Sequence, residues 1–235
     1  MQNTDPTLSM DRTEVQLRVG TFVRSVYNWM SIGLALTGVV AYFVAHTPAL
    51  FSIAMQGFFL FAIAELVLVF TLSARIGKMQ PSTATVMFTG YAILNGVTLS
   101  AIFLIYAKAL IASTFFICAL MFAALSIFGW TTKKDLTGVG NFMFMGLIGI
   151  LIASVVNIFL QSSGMQMIIS YIGVLVFAGL TAYDTQTIKQ MALSQPDGIS
   201  AGVERKGAII GALKLYLDFI LMFQFLLTIF GGSRD

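Results

Sequence analysis

The chain has 235 residues, of which 58% are hydrophobic and 10% charged, with a net charge of +3 and an isoelectric point near 9.1. Soluble domains carry about 25% charged residues, so this composition excludes a water-facing surface over most of the chain. The thirteen basic residues are scattered, which argues against a nucleic-acid-binding patch.

Residues 1 to 25 are polar, with Asp5, Pro6, Asp11, Arg12, Glu14, Arg18 and Arg24, and the apolar run after them has no small-residue cleavage site. They read as a cytoplasmic arm and not as a signal peptide. Apolar stretches follow at 26–45, 49–73, 84–106, 109–130, 139–160, 167–188 and 208–230. Each is close to the ~20 residues that cross the hydrocarbon core as a helix. The reading is an all-α membrane protein with a seven-helix transmembrane domain over 26–230 and a short tail at 231–235.

Pro6, Pro48, Pro81 and Pro196 fall in the arm or in proposed connections, as continuous helices between them require. Gly207 and Gly211, and likewise Ala178 and Ala182, are small pairs four residues apart, a spacing that lets helices approach closely. Cys118 lies inside an apolar run, which leaves no disulfide framework and no thiolate metal site.

Lysine and arginine set the expected orientation, because cytoplasmic connections hold the excess. Arg12, Arg18, Arg24, Arg75, Lys78, Lys133, Lys134, Lys189, Arg205 and Lys206 fall on the side of the N-terminus. Only Lys108 and Arg234 fall on the other, and Lys214 lies within the last span. The expectation is N-terminus inside and, after seven crossings, C-terminus outside; a re-entrant last helix would return the C-terminus to the cytoplasm.

Ionisable residues within spans are costly and are functional candidates by default. Glu65 sits in the second span, Arg75 at its end, Asp184 near the end of the sixth, and Lys214 and Asp218 in the first half of the seventh. Asp184 faces the unfavourable end of its helix dipole, so an arginine, a shared proton or headgroup water must stabilise it. Asp218 lies about 15 Å into its span, too deep for bulk water, and faces a cavity, protein, or Lys214 one turn away. Glu65 has no basic neighbour within one turn, so it is either protonated or in a polar cavity. His46 at a span boundary has no serine motif or metal-ligand partner, and no phosphate loop or cofactor signature is present. The chain therefore reads as a non-enzyme without a cofactor.

Three segments carry a resemblance: Phe128-Gly129-Trp130-Thr131-Thr132-Lys133-Lys134-Asp135-Leu136, Ala182-Tyr183-Asp184-Thr185-Gln186, and Leu215-Tyr216-Leu217-Asp218-Phe219-Ile220. In that order on a seven-span frame they resemble the signature segments of the Bax inhibitor-1-like (transmembrane Bax inhibitor motif) family, over about residues 20 to 231. Short loops and a short arm suggest a bacterial member in an inner membrane. The resemblance implies a bundle with a central, buried last helix and a proton-sensitive calcium leak. It further implies that Asp184 and Asp218 share a proton and close the cytoplasmic end of the pathway, that Arg75 latches the pair, and that Glu65 lines the route. Calcium prefers about six to eight oxygen ligands, so these three carboxylates would bind it weakly and in passing. Position 214 is usually small or apolar in the family, and Lys214 would either pair with Asp218 and alter the seal or bend toward the cytoplasmic interface. A second reading from the family is a non-transporting interaction protein that modulates a membrane protease or the cell-death machinery.

Overall fold

The structure, a computed structural model, describes the backbone of residues 6–195 and 199–232, and side chains from residue 15 onward within those ranges. Pro196, Arg234 and the tail from 233, together with the side chains of the first fourteen residues, lie outside the described residues.

The described residues form nine α-helices: α1 (Pro6–Ala45), α2 (Pro48–Gln56), α3 (Phe58–Arg75), α4 (Pro81–Leu99), α5 (Ile102–Ile105), α6 (Lys108–Thr131), α7 (Thr137–Leu160), α8 (Ser163–Leu193) and α9 (Ala201–Gly232). Among them are seven segments long and apolar enough to cross a membrane, as the run lengths predict. Pro48 and Pro81 each sit in the first turn of a helix, where a missing amide costs nothing.

Boundaries differ from the sequence reading in two places. The stretch expected as one span over 49–73 is broken at Gly57 into α2 and α3, and only Phe58–Lys78 has spanning length. Glycine holds a helix weakly, and here the Phe61 ring lies where a Gly57 side chain would sit. The first helix begins at Pro6, well before residue 26, and from Val19 and Phe22 onward it carries a buried stripe that continues to Val26.

Packing places α9 at the centre. It lies against α1, α4, α6 and α8, and two-thirds of its span is buried. By contrast α3 packs mainly on α4, and α7 on α8, so both present most of their surface outward. Small residues make the central contacts close. The Gly207 and Gly211 positions on α9 receive the Phe22 and Val26 side chains of α1, each within 3.2 Å of where a Cβ would stand. Gly129 of α6 lies directly on the Ala182 carbonyl of α8.

One end of the bundle collects the basic residues. Lys206 of α9 donates to the Gly77 carbonyl just past α3 (3.1 Å), and Lys189 of α8 donates to the Trp130 carbonyl at the end of α6 (2.7 Å) and lies over the Trp130 ring. Gln186 bridges the α6–α7 connection, accepting from the Leu136 amide (2.8 Å) and donating to the Lys134 carbonyl (2.9 Å).

Candidate functional site

Alternating faces of two adjacent helices build the site. On α8, Asp184 lies in the run Leu180, Thr181, Ala182, Asp184, Thr185 and Gln186, all buried in the bundle. On α9, Lys214 and Asp218 are one turn apart and face α8 across the centre, with Asp218 4% exposed and Asp184 8%.

Lys214 makes its ion pair across the helix interface and not along its own helix. Its Nζ lies 3.0 Å from Asp184 Oδ1, and no hydrogen bond joins it to Asp218. Lys214 therefore stands where the resemblance puts a latching arginine. Asp218 lies one turn beyond Lys214 on α9, and its Oδ2 is buried with no hydrogen-bond partner. Two buried carboxylates thus share one partly exposed ammonium, with one acceptor left over, an arrangement that a proton or a passing cation would complete.

Arg75 is not brought to this group. It is exposed at the end of the peripheral α3 and makes no ion pair with either aspartate. The neighbouring Gly77 carbonyl is held by Lys206, which is eight residues, or about 12 Å of helix, before Lys214.

Glu65 is held separately, by α4. Thr98 Oγ1 donates to its Oε1 at 2.7 Å and Asn95 Nδ2 to its Oε2 at 3.2 Å. With Asp184 and Asp218 it makes no single cluster able to hold a metal among the described residues. It is nevertheless linked to α9. The Tyr216 hydroxyl, fully buried, donates to Asn95 Oδ1 at 3.2 Å and lies 2.7 Å from Thr37 Oγ1, which in turn donates to the Ala92 carbonyl at 2.8 Å. Two hydroxyl hydrogens serve three short contacts, so this network has more than one proton arrangement. Tyr216 stands between Lys214 and Asp218 on α9, so both polar groups are tied to the same central helix.

Sequence reasoning does not single out Thr37, Asn95, Tyr216 or Gln186, and it uses Lys189 only for orientation. Asn95 carried a usable signal, being an amide in the middle of an apolar span where an unpaired polar group is costly. Tyr216 and Gln186 were within the quoted segments, but nothing in their spacing identifies their partners.

The chain from residue 19 to 235 matches the model of the family described as inhibitor of apoptosis-promoting Bax1. It is 48% identical over 225 residues to the inner membrane protein YbhL of Escherichia coli, covering 94% of this chain and 96% of that one. It is also similar to a protein of Deinococcus radiodurans, 42% identical over 97% of both chains, and to one of Caulobacter vibrioides, 39% identical over 96% and 94%.

Proposed function

We propose a function from the premise that this chain, an integral membrane protein, belongs to the Bax inhibitor-1 family: it forms a proton-sensitive cation leak, with calcium as the transported ion, in a bacterial inner membrane. The basic residues gathered at one end of the bundle favour the N-terminus on the cytoplasmic side and the C-terminus outside. A relative named as an inner membrane protein supports the location.

The observation that carries the reading is the Asp184–Lys214 pair, in which the aspartate is buried and the lysine side chain is 39% exposed, together with the Asp218 Oδ2 buried without a hydrogen-bond partner one turn along α9. A structural ion pair needs one acid for one base; a second buried acid without a hydrogen bond is costly unless it is used. A proton on the carboxylates leaves the site neutral and the seal closed. Its loss leaves one uncompensated negative charge in a low-dielectric centre, which attracts a cation and weakens the helix contact. Protons and calcium therefore compete, and flux falls as the pH falls. Glu65, held by Asn95 and Thr98, offers a further oxygen site along the route.

Calcium entry into proteoliposomes, followed from about pH 5 to about pH 8, tests this. The native protein is expected to show flux that declines with acidification. Asp218→Asn removes the extra acid and is expected to flatten the pH dependence, whereas Lys214→Ala, which removes the cation from Asp184, is expected to raise flux at neutral pH. No flux at any pH, or a pH profile unchanged in Asp218→Asn, overturns the reading.

A further inference from the structure

At the end of the bundle opposite the basic cluster, helix packing leaves a gap. α1 and α6 each lie on α9 but scarcely on one another, and α5 closes the top of the space between them. The result is a slot of about 300 Å³, at the small end of the range of ligand cavities. Its floor is Phe219, Ile220 and Phe223 of α9, each no more than 5% exposed, while the rim includes the exposed Gly38, Phe115 and Phe116.

The slot is apolar along its length. Its one hydroxyl, Thr37, is already committed to the Ala92 carbonyl and Tyr216. The single cation in the lining is Lys108. Lysine only donates, so its 3.1 Å contact with His46 Nε2 makes that nitrogen the acceptor and places the ring hydrogen on Nδ1, which donates to the Tyr42 carbonyl at 2.7 Å. Lys108 also lies 5.9 Å from the centre of the Tyr42 ring, and two of its three hydrogens are not used on His46. From Lys108 to Phe116, α6 rises about 12 Å, close to the ~15 Å of one hydrocarbon leaflet.

We propose that this slot is a lipid site, holding one acyl chain of an anionic phospholipid with its phosphate on Lys108. The apolar length receives the chain, and the ammonium at the mouth meets the phosphate at the depth where a headgroup begins. Lipids that merely surround the bundle reach the outward faces of α3 and α7; only a chain within the slot reaches Phe219 and Phe223.

Photoactivatable phosphatidylglycerol, with the reactive group midway along one chain, tests the proposal on the full-length protein in nanodiscs, with peptide mapping of the adducts. Adducts at residues 219–223 are expected, and unlabelled phosphatidylglycerol should suppress them about fivefold better than phosphatidylcholine. Lys108→Gln should abolish that difference in competition. Gly38→Leu should remove the adducts from α9 while leaving those on α7; a Cβ at Gly38 meets nothing within 4 Å, so the larger side chain enters the slot and not the packing. Ala112→Leu fills the slot from the opposite wall and serves if the first variant does not fold. Adducts on α7 with none at 219–223, or equal competition by the two headgroups on the native protein, overturn the proposal.

Discussion

Asp135 lies in the α6–α7 connection, outside the spans, and shows how a local hydrogen bond becomes a pH dependence. The Thr137 hydroxyl (2.7 Å) and then the Thr137 amide (2.9 Å) donate to its Oδ1 and hold its carboxyl below the usual carboxylate range. A group whose native pKa is depressed stabilises the fold above its unfolded value of about 3.9, and that stability is lost as the pH falls through the native value. Asp135→Ala should therefore lower the melting temperature at neutral pH. The deficit should shrink below about pH 4, and a deficit constant with pH would show that the charge is not responsible. At the same scale, Lys214 illustrates why a side chain's identity does not name its partner. It has an acid one turn away on its own helix and an acid across the interface, and it takes the second, at 3.0 Å. The lysine-before-acid order along a helix is the weaker arrangement, so the longer reach to Asp184 wins.

At the scale of elements, the α6–α8 contact brings together two of the segments that carry the family resemblance. Gly129 lies against the Ala182 carbonyl, with Ala182 C and Cα only 3.0 and 3.1 Å from where a Cβ would stand. Because backbone cannot move aside as a side chain can, Gly129→Val should push the helices apart and cost about 1–3 kcal/mol, read as a lower melting temperature in detergent. A variant as stable as the parent would mean the helices slide freely. One turn further along α8, Gln186 fastens the connection after α6 through two backbone hydrogen bonds. Gln186→Ala leaves a buried amide and a carbonyl without partners, at about 1–3 kcal/mol. Faster proteolysis or hydrogen exchange confined to residues 132–136 is the expected sign, and unchanged protection there would count against this role.

Across the whole molecule, α9 is the element through which the others communicate, since four helices pack on it and both polar groups are attached to it. Tyr216→Phe removes the hydroxyl that joins α9 to Thr37 of α1 and Asn95 of α4. Such bonds within a membrane bundle average about 0.6 kcal/mol, so the loss should be about 1 kcal/mol in reversible unfolding, with the fold retained. A loss several times larger would mean that the network and not the apolar packing holds α9 in place. The number of spans, their order and the clustering of basic residues in alternate connections were all determined by the sequence, because run length and the cost of charge in hydrocarbon are properties of the chain itself. The seven expected stretches and seven spanning segments correspond, and the candidate residues Asp184, Asp218 and Glu65 are conspicuous for the same reason. Only the tertiary structure decided that Lys214 pairs with Asp184, that Arg75 stays on an outlying helix, that Glu65 reaches Tyr216 through Asn95, and that a slot opens between α1 and α6. Each of these depends on how a helix is rotated about its axis and which neighbour it meets, and in a span that is apolar nearly all round, the sequence pattern sets neither.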